Sequence, residues 1–483
     1  MVISNFKLPI TIYRLPITKT LIIYNSLTRK KEEFIPLHPP KVNIYTCGVT
    51  VYDESHIGHA RSLYVFDVIR RYLEYRKFKV NFVRNITDID DKIINRANEL
   101  EVSWKDLVKK YIARYYEDLK ALSIEKADCE PRATENIKDM IKHIQALIDK
   151  GFAYESGGDV YFNVRKFPNY GRLSGQSIDH MEKGVRIEPS ELKKDPLDFA
   201  LWKKSKENEP FWDSPWGKGM PGWHIECSVM SQKFLRTDTL DIHAGGRDLI
   251  FPHHENEIAQ AEALTGKLFA KYWLHHGLLT INSQKMAKSL GNFVTIRDFM
   301  EKYKNADLLK MFFLSAHYSH PIDYNEEKIE EAKQALERIF ILLDKTERRA
   351  VGRWPAASGK SKEIEEIKNN FIAAMDDDFN MTKALAAIFE LVNAANKNID
   401  DSGFISEARN LLFELKDIFG LDLRKGDGSN NLNTGIKALI NKRSAARKKG
   451  NFKEADKIRK ELEEKGIILE DTKDGKTTWR RRI

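Results

Sequence analysis

The chain has 483 residues, of which 42% are hydrophobic and 31% charged, and it carries a formal net charge of +9. This length and composition are typical of a globular enzyme with several domains and exclude a disordered chain. The three cysteines, Cys47, Cys129 and Cys227, are too few and too widely spaced for a disulfide framework, and no apolar run reaches membrane-spanning length. We therefore expect a cytoplasmic protein that is not embedded in a membrane.

The chain opens with an extension, followed by a strand, a turn and a helix. Residues 1–20 contain three basic residues and no acidic one, and they lack the apolar core of a secretory signal. Residues 42–45 alternate as a strand does, and residues 61–69 have the apolar spacing of a helix. A turn between such a strand and helix lies at the carboxyl edge of a parallel sheet, where phosphates bind the free N–H groups of the helix start.

This turn contains the sequence His-Ile-Gly-His. His56 and His59 are three residues apart, so they share a face of the first helical turn, and both can donate hydrogen bonds to a phosphate. Gly58 lets a flat ring approach the backbone, and Cys47 offers a thiolate ligand for a metal at the same edge. Four letters alone usually arise by chance, so this interpretation depends on the rest of the chain.

Further stretches of the sequence predict a second strand of the parallel sheet and then an insertion that interrupts the sheet. Residues 79–86 form an alternating strand that ends in the polar residues 87–92, and a helix follows. Strand–helix–strand segments of this length pair in parallel with a right-handed crossover. We interpret residues 115–195, with helices and then short strands, as an insertion, and we expect the sheet to resume at residue 198.

The second half of the chain contains a basic loop, a helical region and a basic end. Lys285 and Lys288 suit a mobile clamp on a triphosphate, although such a pair alone is usually surface charge. The chain is helical beyond about residue 326. Residues 437–483 contain 16 Lys and Arg against 8 Asp and Glu, which indicates either a polyanionic partner or, about equally well, a solvated charged helix.

A second set of side chains has the chemistry of a zinc site. His253 and Glu257 are four residues apart on one side of a helix, while Cys47 and Cys227 each lie at a strand–helix junction. These four residues would make a tetrahedral site if the sheet brings the two edges together, but the cysteines are 180 residues apart. The sequence argues against a His-Glu-x-x-His zinc protease, because Ile258 stands at the position of the second histidine.

His-Ile-Gly-His near the start of a parallel sheet, with the lysine loop after that sheet, is the layout of a class I aminoacyl-tRNA synthetase. In detail the chain resembles the cysteinyl-tRNA synthetases. The similarity covers nearly the whole chain from about residue 21, and its most specific stretches are residues 45–53, 56–59, 82–91, 198–203, 222–228, 251–260, 285–289 and 471–481.

This resemblance implies an α/β fold. A Rossmann-type parallel-sheet nucleotide-binding domain with an inserted subdomain is followed by a helical bundle and a small C-terminal anticodon-binding module. The boundaries that we expect are an N-terminal extension at 1–20, the two halves of the Rossmann catalytic domain at 21–114 and 196–278, an inserted connective subdomain at 115–195, a stem-contact region with the lysine loop at 279–325, the helical bundle at 326–424, a linker at 425–435 and the anticodon-binding module at 436–483.

The resemblance also implies the residues of the site. One Zn²⁺ would be held by Cys47, Cys227, His253 and Glu257. The amino-acid pocket would be lined by Thr87, Trp223 and His224. The catalytic groups would be His56, His59, Lys285 and Lys288, and ATP with its Mg²⁺ would be bound by Gly58, Gly246, Asp248 and Lys288. The anticodon would be contacted by Arg447, Phe452 and Asp456, although Phe452 would serve equally well as a core anchor of the module.

The implied reaction is attack of the carboxylate of L-cysteine on the α-phosphate of ATP, followed by transfer of the cysteinyl group to the terminal ribose of tRNA(Cys). Positioning and charge stabilisation suffice for this chemistry, so no protein nucleophile is needed. A soft thiolate binds zinc well and a serine hydroxyl does not, which would exclude serine without an editing site. We expect the enzyme to act as a monomer.

Two alternatives remain at this point. The first is a zinc cysteine ligase that joins cysteine to an amino sugar, as in mycothiol biosynthesis; such enzymes lack the anticodon module, so residues 436–483 argue against it. The second is a tRNA-binding protein that has lost catalysis, and the intact His-Ile-Gly-His and lysine loop argue against it. The chain departs from the family pattern at Val49, at Ala287 in the lysine loop, and at Ser319-His320, where a basic residue is common.

Overall fold

The computed structural model describes residues 20–178, 192–349, 361–423, 429–464, 467–471 and 477–481. The predicted N-terminal extension therefore lies outside the described residues, apart from Thr20. No helix in these ranges is both long enough and apolar enough to cross a membrane.

The strands are, in chain order, β1 (Ile22–Asn25), β2 (Lys30–Glu33), β3 (Lys41–Thr46), β4 (Lys79–Arg84), β5 (Ala153–Ser156), β6 (Asp159–Phe162), β7 (Phe199–Lys204), β8 (Trp212–Ser214), β9 (Gly217–Pro221), β10 (Leu240–Gly246), β11 (Ala270–His276), β12 (Leu279–Ile281), β13 (Gln284–Lys285), β14 (Ile322–Tyr324), β15 (Ile467–Asp471) and β16 (Thr477–Arg481).

The α-helices are α1 (Ile57–Tyr75), α2 (Asp91–Glu99), α3 (Trp104–Ala121), α4 (Ile137–Asp149), α5 (Trp223–Leu235), α6 (Glu255–Thr265), α7 (Ile296–Tyr303), α8 (Ala306–Leu314), α9 (Glu326–Arg349), α10 (Lys362–Asp376), α11 (Met381–Lys397), α12 (Ser402–Ile418), α13 (Ser429–Lys448) and α14 (Phe452–Glu464).

A four-stranded parallel sheet forms the centre of the catalytic region, in the order β11-β10-β3-β4. Every residue of β10 is buried, as expected for a parallel strand with both faces covered. The chain leaves β3 toward β4 on one side and returns to β10 on the other. Ligands bind in the crevice outside the carboxyl ends of strands at such a reversal. The predicted Rossmann-type α/β fold is confirmed.

The inserted region is larger than the sequence predicted. Strands β5 to β9 form one antiparallel sheet in the order β5-β6-β7-β9-β8, so residues 199–221 pair with the insertion and not with the parallel sheet. The second half of the parallel sheet therefore begins at β10 and not at residue 196. At the other boundary, α3 passes without interruption through residue 114. Strand periodicity reports burial but not the sheet that a strand joins, which explains the misplaced boundaries.

The helical bundle packs on the first helix of the catalytic region. The hydroxyl of Tyr64 on α1 donates to the carbonyl of Phe419 at 2.9 Å, and the hydroxyl of Tyr72 donates to Asp376 at 2.6 Å. Because α1 begins at the His-Ile-Gly-His turn, the bundle supports the helix that carries this motif.

The C-terminal module has a core of its own. Helices α13 and α14 and the antiparallel pair β15–β16 enclose the buried residues Ile440, Ile458, Leu462, Ile467 and Leu469. The predicted linker at 425–435 is shorter in the structure, because α13 begins at Ser429, while residues 424–428 lie outside the described ranges. Intrinsic propensity is a weak predictor, and the Asn- and Ser-rich start of α13 is helical despite its composition.

Candidate functional site

The two histidines of the His-Ile-Gly-His turn form a reciprocal cap at the start of α1. Nδ1 of His56 accepts the backbone N–H of Gly58 at 3.1 Å and that of His59 at 3.2 Å, and Nδ1 of His59 accepts the N–H of His56 at 3.3 Å. The two rings stack with their centroids 3.7 Å apart. Because both Nδ1 atoms accept, each neutral ring carries its proton on Nε2, which remains available as a donor.

Burial keeps both rings neutral at physiological pH. It lowers the pKa of His56 to about 4 and that of His59 well below its usual value, since a buried imidazolium loses its hydration. The glycine between them has a local role that the sequence did not reveal. A Cβ at Gly58 would lie 2.9 Å from the His56 ring, so a larger residue would displace the capping imidazole.

The lysine loop lies beside this turn. The backbone N–H of Ile57 donates to the carbonyl of Val294 at 3.1 Å, and the Met286 side chain approaches Gly58. Lys288 forms an ion pair with Asp53, in the loop before α1, whereas the Lys285 side chain is exposed. Burial raises the pKa of the Asp53 carboxyl, but the hydrogen bonds from Lys288 and from the backbone N–H of Glu54, together with the charges of Lys288 and Arg96, outweigh it, and the pKa is lowered overall.

Gly246 is the last residue of β10, and Asp248 follows it at the carboxyl edge of the sheet. A Cβ at Gly246 would lie 2.3 Å from a carboxylate oxygen of Asp248, so the glycine makes room for that carboxylate. The structure therefore places an acidic acceptor at the same edge as the histidine cap and the lysine loop.

The four predicted metal ligands come together behind this edge. One ligand atom each from Cys47, Cys227, His253 and Glu257 lies within 4.8 Å of the other three. Glu257 Oε1 is 3.4 Å from Cys47 Sγ and 3.1 Å from His253 Nε2. A tetrahedral Zn²⁺ with bonds of about 2.0–2.3 Å has ligands at about such separations.

The pKa shifts of the residues in the cluster also favour a bound cation. Burial raises the pKa of the thiols of Cys47 and Cys227, and it lowers the pKa of His253. Buried thiolates therefore need a positive charge between them, and a metal ion would supply it while leaving the imidazole neutral. The donor set of two sulfurs, one nitrogen and one carboxylate oxygen fits zinc.

Two histidines that the sequence analysis did not select lie against this cluster. His243 Nε2 is 2.7 Å from Glu257 Oε2, and His254 Nε2 is 3.3 Å from Cys47 Sγ. These side-chain contacts continue from His254 Nδ1 to His275 Nε2 at 2.9 Å, and from His275 Nδ1 to the hydroxyl of Ser26 at 2.8 Å. These contacts orient the ligands, as partners behind a metal site commonly do. In the sequence, the adjacent pair His253-His254 was the signal that could have indicated a second histidine at the cluster.

Two of the predicted pocket residues contact the cluster directly. The indole of Trp223, which is 36% exposed, stacks on the ring of His253 with centroids 4.1 Å apart. His224 Nδ1 lies 2.9 Å from His253 Nδ1. An open aromatic face therefore borders the metal cluster on the accessible side.

The third pocket residue, Thr87, belongs to a hydrogen-bond chain behind the pocket. Its hydroxyl donates to Glu226 Oε2 at 2.9 Å and accepts from Asn85 Nδ2 at 3.2 Å. Asn85 Oδ1 accepts the N–H of Gly48 at 2.8 Å and lies 3.7 Å from Cys227 Sγ. The chain thus ties Thr87 to the loop after β3 and to a predicted metal ligand.

The three predicted anticodon residues lie on the surface of the C-terminal module. Arg447 and Asp456 are exposed, and Phe452 at the start of α14 is 64% exposed. Phe452 is therefore not a core anchor, and the alternative of a packing role is wrong. An exposed phenyl ring is free to stack on an unpaired base.

Comparison with known proteins identifies three regions. Residues 33–334 match the family described as tRNA synthetases class I (C) catalytic domain, residues 370–424 match the DALR domain, and residues 429–480 match the cysteinyl-tRNA ligase anticodon binding domain. The last match falls on the module that an amino-sugar ligase would lack.

Full-length relatives and solved structures agree with these matches. The chain is 51% identical to the Cysteine--tRNA ligase of Geobacillus thermodenitrificans, over 95% of this chain and 98% of that protein, and 49% identical to that of Aquifex aeolicus, over 96% and 99%. It also resembles the methionyl-tRNA synthetase of Mycobacterium tuberculosis (TM-score 0.57, 16% identity, 78% of this chain and 89% of that one), which supports the fold. The chain belongs to the cysteine–tRNA ligase family of class I tRNA synthetases.

Proposed function

We propose that this enzyme activates L-cysteine with ATP and transfers the cysteinyl group to tRNA(Cys). The observation that carries the proposal is the position of the Cys47, Cys227, His253 and Glu257 cluster, which lies next to the open face of Trp223 and behind the nucleotide edge of the sheet. A thiol-bearing substrate at Trp223 would have its sulfur at the cluster and its carboxylate toward the edge.

The cluster would select the amino acid. Zn²⁺ held by these four residues would bind the thiolate of cysteine and would bind the hydroxyl of serine poorly. Thr87 is oriented by Asn85 and Glu226, so its hydroxyl hydrogen is committed and its remaining lone pair can accept from the substrate ammonium.

The edge of the sheet would hold ATP with its Mg²⁺. The Nε2–H groups of His56 and His59 would donate to the phosphates, where negative charge develops as the cysteine carboxylate attacks. Lys288 would exchange Asp53 for the phosphates, and Lys285 would add a second charge. Asp248 would accept from the ribose, in the space that Gly246 leaves.

Transfer to tRNA would involve both the C-terminal module and the catalytic region. The exposed Arg447, Phe452 and Asp456 would contact the anticodon, while the terminal ribose would reach the sheet edge. Action as a monomer stays a prediction. Three free cysteines suit the reducing cytoplasm.

Charging of a cysteine tRNA transcript with labelled cysteine, ATP and magnesium tests the proposal. We expect cysteine on this transcript, much less on one with an altered anticodon, and none with labelled serine. Cysteine-dependent exchange of pyrophosphate into ATP without any transfer would instead favour the amino-sugar ligase. Absence of exchange by the zinc-loaded protein would contradict catalysis altogether.

A further inference from the structure

Glu226, in the first turn of α5, is a buried acid to which the chemistry described above gives no direct role. Its side chain is fully buried, and Oε2 accepts the hydroxyl of Thr87 at 2.9 Å. Oε1 has no hydrogen-bond partner among the described residues, and Glu226 forms no ion pair with any of them. A buried carboxylate without a compensating cation is costly, so a ligand that brings a positive charge to this place would be stabilised.

The surroundings of Glu226 are also negative. Asp90 and Asp88, in the segment after β4, both act on the Glu226 carboxyl with like charge. Both aspartates are held in place, because Asp88 accepts the hydroxyl and the backbone N–H of Thr134 at 2.6 and 2.9 Å, and Asp90 caps α2. This end of the pocket therefore favours an ammonium group and disfavours a second carboxylate.

Thr87 connects Glu226 to the pocket. Its hydroxyl donates to Glu226 and accepts from Asn85 Nδ2 at 3.2 Å, so one lone pair remains. An ammonium group that donates to this lone pair would lie within about 6 Å of Glu226 Oε2, since two hydrogen bonds of about 2.9 Å would join them. Glu226 also directly precedes the predicted metal ligand Cys227. Cysteine carries its amino group and its thiol on adjacent carbons, so the sites for the two groups must adjoin in this way.

We propose that Glu226 selects substrates that carry an α-ammonium group, acting as a positioning residue through Thr87. The carboxylate of Glu226 orients the Thr87 hydroxyl and offsets the charge of the ammonium group, while the metal cluster binds the thiol. The two requirements are separate, so a thiol that lacks an amino group would gain nothing from Glu226. The inference rests on the proposed function, because it assigns the recognition of the amino group of the cysteine substrate named there.

The test compares three thiols: L-cysteine, cysteamine, which lacks the carboxylate, and 3-mercaptopropionate, which lacks the amino group. Their dissociation constants are measured by calorimetry with the zinc-loaded full-length protein. The variants are Glu226→Gln, which keeps the shape of the side chain and removes its charge, and Thr87→Val, which removes the hydroxyl. The control is Asp91→Asn, which removes an exposed carboxylate of a neighbouring segment that pairs with Lys203 at 2.5 Å. Metal analysis reports whether each variant retains its zinc.

Glu226→Gln should weaken binding of L-cysteine and cysteamine by about 10- to 100-fold, the range for a hydrogen-bonded charged group. It should leave 3-mercaptopropionate within about twofold, since this thiol has no ammonium group to lose its partner. Thr87→Val should show the same pattern. The double variant should lose no more than the larger single loss, because both residues act on one ammonium group. Asp91→Asn should change none of the three constants by more than about twofold.

Equal weakening of all three thiols by Glu226→Gln would overturn the inference and assign Glu226 to the shape of the pocket, and so would the absence of any weakening. If Glu226→Gln loses its zinc, Thr87→Val decides by the same comparison, and a loss that includes 3-mercaptopropionate would then contradict the inference. A failure of the proposed function is separate, because the wild type would then neither exchange pyrophosphate nor charge a cysteine tRNA transcript.

Discussion

His56 and His59 cap each other: each ring accepts, through Nδ1, the backbone N–H of the other residue. The signature at the start of α1 is thus a capping box made of two imidazoles. Capping fixes the tautomer of both rings, so the same contacts that begin the helix also direct two Nε2–H donors. The capping role and the proposed catalytic role of His56 can therefore be tested separately. Nδ1 makes the helix cap, and Nε2 would donate to the phosphates.

His56→Asn should retain the cap and lose the donor. The amide oxygen of Asn accepts helix N–H groups well, so the free energy of unfolding should change by less than about 1 kcal/mol. Loss of one donor to developing charge should lower the rate of cysteine activation by about 100-fold or more. Thermal unfolding and pyrophosphate exchange check the two effects, and His56→Ala, which loses both functions, is the comparison. Full activity in His56→Asn would show that Nε2 has no catalytic role.

Asp53→Asn should tighten binding of ATP. The carboxylate of Asp53 holds Lys288 in the absence of nucleotide, and its loss frees the ammonium for the phosphates. Ion pairs near the surface contribute about 0.2–1 kcal/mol, so we expect the KM for ATP to fall about 1.4- to fivefold. Steady-state exchange kinetics measure it, with Lys288→Ala as the variant expected to raise the same KM. An unchanged KM would mean that the Asp53 pair does not compete with ATP.

Cys227→Ser should lower zinc content and cysteine activation together. Replacing one sulfur of the cluster by a hydroxyl weakens zinc binding, since serine is a poor ligand. Metal analysis of the purified variant and pyrophosphate exchange provide the two readouts. The control is Cys129→Ser, because Cys129 is not one of the clustered ligand residues in the described part of the chain. Full zinc occupancy in Cys227→Ser would remove this residue from the ligand set.

Asp118→Asn should stabilise the protein at alkaline pH. Burial, and then the charge of Glu54, raise the pKa of Asp118 to about 7, and its Oδ2 has no hydrogen-bond partner among the described residues. The folded state therefore binds the proton more tightly than the unfolded state, and the stability that this carboxyl contributes is lost as pH rises from about 4 through 7.

The amide of Asn cannot ionise. The free energy of unfolding of the variant should therefore exceed that of the wild type by on the order of 2 kcal/mol at pH 8 and by little at pH 4. Denaturant unfolding at the two pH values measures this difference. A gain that is equal at both would assign the effect to packing rather than to charge.

Much of the fold followed from local patterns. The strand–turn–helix around His56 was predictable because each of its signals lies within a few consecutive residues. These signals are the alternation of apolar residues in the strand, their spacing in the helix, and the turn residues between them. The limits of the insertion were not, because β7 has the pattern of a strand whichever sheet it joins. The beginning of α13 at Ser429 was missed for a similar reason, since its composition is that of a loop.

The chemical groups of the site can be identified in the amino-acid sequence: a histidine pair on one helical turn, a lysine loop, and a set of soft and hard ligands that resembles one family of tRNA synthetases. The folded structure was needed to show that Cys47 and Cys227 lie together, that His243, His254 and His275 contact or extend this cluster, and that Phe452 is exposed. The two kinds of information differ in the distance along the chain over which they act. Sequence periodicity reports hydrogen bonding and burial over a few residues, whereas a metal cluster is made by the pairing of strands distant in the chain.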